Sequence, residues 1–249
     1  MNNFTQPQVY AAYEFARNMI GKHHPNMIMN RANWEIFRDD IHGKLGEIAV
    51  ESYIVKNHPE YHINSGVDYS IMERGQWDIS DLIVNEKSLN VKSIGEKSSY
   101  LMIECQRYDD QGNYVYKNND NLPVQVDGYV LVRVVVKPEI NENDFNKCID
   151  IIDNQRSMSE FMKVFKEDMG QRTITCEILG AIDHDNFWKI KKYAPQGMMC
   201  TSDNLWKVVN GEARSSLEMA QPWTRKNLKL QKDNFIVHKN KLSPLEDIL

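Results

Sequence analysis

The most continuous apolar run in the 249-residue chain covers positions 129–136, where only Arg133 interrupts a series of tyrosine, valine and leucine residues. A run of this length, rich in β-branched residues, predicts a strand buried at the centre of a sheet. Apolar residues at helical spacing over positions 9–20 and 33–55 predict helices before it. The sequence therefore predicts an α/β protein with a mixed β-sheet flanked by helices.

Two short aliphatic segments, at positions 82–84 and 89–91, predict a β-hairpin upstream of that strand. The polar residues between them are turn formers, and we expect Glu86 and Lys87 to make a two-residue turn. Side chains alternate along each strand, so the aliphatic residues would fill one face and support the polar residues of the other.

Three polar residues are expected to share the face of this hairpin opposite the aliphatic residues. With the turn at positions 86 and 87, Asp81 pairs with Lys92, and Asn90 lies on the same face. A carboxylate holds a divalent cation through hard oxygen ligands, and a lysine beside it can orient or activate a water molecule. This chemistry suits phosphodiester hydrolysis, and the alternative is an ordinary solvated hairpin face.

The stretch is similar to the metal-binding hairpin of the PD-(D/E)XK nucleases, a superfamily that holds many type II restriction endonucleases. Asp81 matches the first aspartate of the motif, and Lys92 matches its lysine. Two departures are visible: Asn90 stands where the family usually has Asp or Glu, and no proline precedes Asp81. The resemblance covers mainly residues 42–103, and it implies that a missing negative charge is supplied from elsewhere.

Several consequences follow from the resemblance alone. It implies a restriction-endonuclease-like core and cleavage of double-stranded DNA with Mg²⁺, for which Mn²⁺ substitutes. It implies a homodimer, since a two-fold protein can cut both strands of a palindromic site. It also implies that Asp81 binds the metal, that Lys92 positions the attacking water, and that Asn90 and Glu104 complete the catalytic group.

Three further carboxylates are candidate metal ligands. Glu47 follows a Gly-x-x-Gly sequence that resembles the first core helix of the family, and otherwise it belongs to a solvated helix face. Glu104 ends a strand that we expect beside the lysine strand, and otherwise it is an edge residue in water. Asp78 is an alternative first aspartate or second-metal ligand, and otherwise it caps the strand or packs beside Trp77.

The net charge of −5 does not indicate a nucleic-acid binder, because phosphate recognition usually requires a basic surface. Residues 189–241 are nevertheless rich in lysine and arginine, so we expect the DNA-contacting surface there, with a solvated face as the alternative. The candidate DNA-binding residues are Lys191, Lys192, Arg225, Lys226 and Lys229.

The domain prediction is an N-terminal helical segment at 1–40, a nuclease core at 41–192, and a basic extension at 193–249 packed on the core. No apolar run approaches membrane-spanning length and no signal-peptide pattern begins the chain, so we expect a cytoplasmic protein. The predicted function is that of a sequence-specific type II restriction enzyme. The alternatives are a structure-specific repair, recombination or phage-defence nuclease, and a catalytically inactive DNA-binding module.

Overall fold

The computed structural model describes residues 4–22, 32–70, 80–115, 125–153, 163, 172–221 and 229–249. Its helices within these ranges are α1 (Gln6–Met19), α2 (Asn33–Asn57), α3 (Glu142–Asp153), α4 (His184–Ile190) and α5 (Ser202–Val209). Its strands are β1 (Ile63–Ser65), β2 (Leu82–Val84), β3 (Lys87–Ile94), β4 (Tyr100–Glu104), β5 (Gly128–Lys137), β6 (Thr173–Asp183), β7 (Lys192–Ala194) and β8 (Asn234–His238).

The first sheet has five strands in the order β1-β2-β3-β5-β6. β1, β2 and β3 are antiparallel neighbours, β5 is parallel to β3, and β6 is antiparallel to β5. Residues 129–132 of β5 are fully buried, as a central strand requires. The predicted α/β fold with a mixed sheet is confirmed, and so are the helices predicted at the N-terminus and from position 33.

The turn of the predicted hairpin lies one residue earlier than expected. Leu82 pairs with Leu89 and Val84 with Lys87, so Asn85 and Glu86 form the turn, with φ angles of 48° and 66°. Two-residue turns that match the strand twist need positive φ at both positions, which asparagine tolerates well. Our prediction that Glu86 and Lys87 form the turn was therefore wrong. The pairing moves by two residues, which leaves the face of each side chain unchanged.

The second sheet has three strands in the order β4-β8-β7. Our prediction that β4 lies beside the lysine strand β3 was wrong, because β2 and β5 already occupy both edges of β3. β4 pairs instead with β8, which comes from the C-terminal part of the chain. The predicted domain boundary after position 40 falls inside α2, and the one after position 192 falls inside β7.

The core forms on both faces of the first sheet. Helices α1 and α2 pack on one face, where a β-carbon at Gly46 would lie 2.1 Å from Ser93 Oγ, so glycine allows α2 to approach β3 closely. The other face of the sheet meets the second sheet through residues such as Leu131 and Val237. α5 covers the far side of the second sheet. In the described ranges, none of the helices is long and apolar enough to cross a membrane.

Candidate active site

Asp81 immediately precedes β2 and is fixed against β3 by two hydrogen bonds. Its backbone N–H donates to the Leu89 carbonyl oxygen at 2.8 Å, and its Oδ2 accepts from the Val91 N–H at 2.6 Å. These contacts flank Asn90, so Asp81 lies across from Asn90. Our prediction that Asp81 lies across from Lys92 was wrong. Asn90 is 8% exposed, and Lys92 follows it on the same face of β3. The three predicted residues are therefore brought together.

Glu47 lies on α2, near enough to Asp81 and Lys92 for their charges to affect its ionisation. Its side chain is buried, with the residue only 7% exposed, and its Oε2 accepts a hydrogen bond from Lys44 Nζ at 2.7 Å. Burial and repulsion from the Asp81 carboxylate raise the pKa of Glu47 to about 8, although Lys44 and Lys92 act in the opposite direction. Two carboxylates from different elements thus lie close enough to affect each other's ionisation.

Lys92 is surrounded by charges of both signs. Burial lowers its pKa from the ordinary lysine value, and repulsion from Arg107 adds to that effect. Asp81, Glu47 and Glu104 act in the opposite direction and keep the ammonium form accessible. A lysine with a lowered pKa gives up and accepts its proton more easily near neutral pH than an ordinary lysine does.

The donor set at this site is compatible with a hard divalent cation. Glu47 and Asp81 supply carboxylate oxygens and Asn90 an amide oxygen, which are ligand types that Mg²⁺ accepts. Burial first and the Asp81 charge second raise the pKa of Glu47, so an ionised Glu47 is costly here without more positive charge. Among the described residues, no three His, Cys, Asp or Glu side chains are grouped so as to hold a metal ion. A metal would therefore depend on two carboxylates, the amide, water and substrate oxygens.

Glu104 is placed differently from the other predicted ligands. It ends β4 in the second sheet, and its Oε2 accepts from Arg107 Nε at 2.9 Å and from Lys232 Nζ at 3.0 Å. Burial acts to raise the pKa of Glu104, but the two cations outweigh it and hold the pKa below its ordinary value. Glu104 is near enough to affect the ionisation of Lys92, yet its charged contacts are with cations, and the Gln106 amide also donates to its Oε2 at 3.4 Å.

Three of the five predicted DNA-binding residues lie within the described ranges, and two lie outside them. Lys191 lies over the rings of Trp188 and Phe235, at 4.2 and 4.9 Å, and donates to the Trp188 carbonyl oxygen. Lys192 is exposed on β7, and Lys229 forms an isolated bridge with Met199. The other two, Arg225 and Lys226, lie outside the described residues, as does the candidate metal ligand Asp78.

Sequence reasoning missed Lys44. This lysine is 8% exposed, it pairs with Glu47, and its Nζ lies 4.3 Å from the centre of the Phe15 ring and 6.0 Å from that of Tyr69. The available signal was its position three residues before Glu47, because residues at that spacing are neighbours on a helix. Its burial depends on residues from α1 and the loop after β1, which a local pattern does not reveal.

In comparisons with known proteins, the chain matches no family model, no curated protein and no solved structure at a significant level. The residues of the chain itself therefore carry the functional inference.

Proposed function

We propose that the protein is a Mg²⁺-dependent endonuclease that hydrolyses phosphodiester bonds of double-stranded DNA, and that it acts as a sequence-specific type II restriction enzyme. The observation that supports this most is that Glu47 on α2, Asp81 just before β2 and Lys92 on β3 lie near enough to shift one another's ionisation, with Asp81 fixed against β3. Acids and an amine from separate elements rarely converge in a partly buried site without a chemical role. A cytoplasmic homodimer that cuts both strands belongs to the same proposal.

In this proposal Glu47 and Asp81 hold Mg²⁺ together with the amide oxygen of Asn90, and Mn²⁺ substitutes for it. The bound metal would stabilise negative charge on the scissile phosphate. Asn90 contributes no negative charge, which makes Glu47 the residue that supplies the second carboxylate. Lys44 holds Glu47 in position through the 2.7 Å contact.

Lys92 orients the attacking water and exchanges a proton with it. Water attacks phosphorus while one P–O bond of the DNA backbone breaks, so the water must lose a proton and the leaving oxygen must gain one. The lowered pKa of Lys92 suits it to orient that water and exchange a proton with it. The Val91 N–H holds the Asp81 carboxylate in a fixed position against β3.

A second candidate function is a catalytically inactive DNA-binding module on the same scaffold. Two observations favour it: Asn90 is neutral where the resembled family has an acid, and Lys44 already supplies a positive charge to Glu47. A structure-specific nuclease of repair, recombination or phage defence would use the same residues and differ only in what it cuts.

Incubation of plasmid DNA with the protein, with Mg²⁺ and with EDTA, separates these functions. Discrete bands that require Mg²⁺ are expected. A smear would indicate a nuclease without sequence specificity, and unchanged DNA would support the inactive module. Lys92→Ala should lose at least about a hundredfold in rate. Lys87→Ala is the matched control, since Lys87 is an exposed lysine of the same strand whose Nζ contacts the Ile248 carbonyl oxygen. Cleavage that survives in Lys92→Ala would remove that lysine from the mechanism.

A further inference from the structure

A small charged cluster lies at the end of β4, near enough to Lys92 for its charges to affect the ionisation of that lysine. Glu104 Oε2 accepts from both Arg107 and Lys232, so one carboxylate oxygen is shared by two cations. The three side chains come from β4, the turn after it and the segment before β8. They are partly buried, with 29%, 23% and 17% of the Glu104, Arg107 and Lys232 side chains exposed. The cluster is therefore held in place but still reachable from solvent.

The charges of this cluster favour an anion over a metal cation. Glu104 carries one negative charge and contacts two positive ones, whereas Lys207 and Asp203 on α5 make a one-to-one pair at 2.7 Å. Lys92 lies near enough for Arg107 to repel it, which adds a third positive group to the surroundings. A dication that bound Glu104 would have to displace two cations from one oxygen. An anion would instead meet positive charge on that side of the site.

We infer that Lys232 and Arg107 bind a backbone phosphate of the DNA next to the scissile bond, and that Glu104 is the positioning residue that holds both. The Arg107 guanidinium also donates to Tyr114 Oη at 3.5 Å, whereas the Lys232 ammonium has three N–H donors and, among the described residues, a single hydrogen-bonding partner, Glu104. Both groups suit phosphate oxygens. This inference rests on the proposed function and assigns Glu104 a role other than the metal ligand that the sequence predicted.

The test measures binding of a short labelled DNA duplex in EDTA over a series of salt concentrations. Each phosphate contact contributes about one unit to the slope of log affinity against log salt. Lys232→Gln should bind about five- to tenfold more weakly, with a slope smaller by about one. Lys232→Arg keeps the charge and should keep the slope. Lys207→Gln is the matched control, because it removes an ion-paired lysine from α5, and its slope should equal that of the wild type.

The outcomes separate this inference from the proposed nuclease function. Wild-type protein that cleaves DNA while Lys232→Gln and Lys207→Gln bind alike would overturn the phosphate site and leave the nuclease in place. Wild-type protein that neither binds nor cleaves DNA would overturn both. Should Lys232→Gln not fold, the Arg107→Lys variant tests the site instead. This variant keeps the charge but loses the planar fork, so it should bind DNA more weakly with an unchanged salt slope. Wild-type DNA affinity in Arg107→Lys would overturn the site.

Glu104→Gln distinguishes the positioning role from metal binding. As a positioning residue, Glu104 is expected to alter DNA affinity while the Mg²⁺ concentration that half-activates cleavage stays at its wild-type value. An increase of about tenfold or more in that concentration, with DNA affinity unchanged, would return Glu104 to the metal site and overturn the role inferred for it.

Discussion

Two buried polar side chains, Asn204 and Glu47, differ in how their polar atoms are satisfied. Asn204 on α5 is fully buried, and it donates to the carbonyl oxygens of Met199 and Glu218 at 2.9 Å and accepts from the Glu218 N–H at 3.1 Å. Glu47 on α2 is 7% exposed, and it has one cation, Lys44, as its hydrogen-bonding partner and a second carboxylate close by.

The difference separates a structural polar group from one with a chemical use. A neutral amide whose donors and acceptor are all satisfied fixes one arrangement of the chain at little electrostatic cost. A buried carboxylate that is repelled by a second one gains nothing in stability from that neighbour, and such groups concentrate at functional sites. The comparison predicts that changes near Glu47 affect activity more than stability, and that changes at Asn204 do the reverse.

The largest expected effect is that of Asp81→Asn. The change keeps an acceptor for the Val91 N–H but removes the charge that would hold Mg²⁺. Cleavage should fall about a thousandfold, equivalent to about 4 kcal/mol. The free energy of unfolding should stay within about 1 kcal/mol of the wild type, because the hydrogen bond remains and repulsion of Glu47 is relieved. A loss of activity that matches a loss of folded protein would contradict the comparison.

The reciprocal change, Asn204→Asp, should affect stability instead. It has nearly the same shape, but it turns the Nδ2 donors toward Met199 and Glu218 into a carboxylate that faces two carbonyl oxygens. The expected loss is about 3 kcal/mol, measured by denaturant unfolding. The activity of each remaining folded molecule should be unchanged. Equal stability of Asn204→Asp and the wild type would show that the hydrogen bonds of this amide do not stabilise the fold.

Local patterns in the sequence predicted a substantial part of this arrangement. The central strand, both N-terminal helices and the shared face of Asp81, Asn90 and Lys92 follow from apolar periodicity and the alternation of strand side chains. The prediction of this shared face was correct although the predicted register was wrong, because the register error was an even number of residues. Fold class and the polar hairpin face were thus within reach of sequence reasoning.

Long-range partners were not predictable in the same way. β4 is separated from β8 by more than a hundred residues, and nothing near Glu104 in the sequence indicates that Lys232 would pair with it. The turn depended on positive φ at Asn85 and Glu86, which a count of turn-forming residues does not locate. Partner choice across distant segments is decided by tertiary packing, to which local propensity is only a weak guide.

The pH dependence of the free energy of unfolding tests the claim that Glu47 is a buried carboxylate at an electrostatic cost. The pKa of Glu47 is raised to about 8 in the folded protein, so its contribution to stability is complete below the ordinary glutamate pKa and is lost as pH rises toward 8. In EDTA, Glu47→Gln should gain about 2 to 3 kcal/mol relative to the wild type between pH 5 and pH 8. All other ionisable groups are the same in both proteins, so the difference between the two curves reports on the Glu47 carboxyl. Parallel curves would contradict the prediction.

Asn90→Asp sharpens the comparison by adding a third carboxylate to the site. Without metal the free energy of unfolding should fall by about 1 to 2 kcal/mol, because the new charge is buried near Asp81 and Glu47. With Mg²⁺ the protein should bind the ion about tenfold more tightly, measured by the Mg²⁺ dependence of the melting temperature. The matched control is Asn64→Asp on exposed β1, for which the Mg²⁺ dependence should not change. The same response in both variants would show that Asn90 does not face the metal.

The smallest expected effect is that of Glu86→Gly, at the end of the hairpin away from Asp81. Glu86 has a φ of 66°, where a β-carbon is strained, while its N–H donates to Asn64 Oδ1 at 2.8 Å and would still do so as glycine. Asn-Gly is the preferred pair for such a turn, so we expect a gain of about 0.5 to 1 kcal/mol in the free energy of unfolding. Cleavage should not change, because the register that sets Asp81 across from Asn90 is kept. A less stable Glu86→Gly protein would contradict the strain inferred at residue 86, and a change in cleavage would show that hairpin stability and the chemistry of the site are coupled.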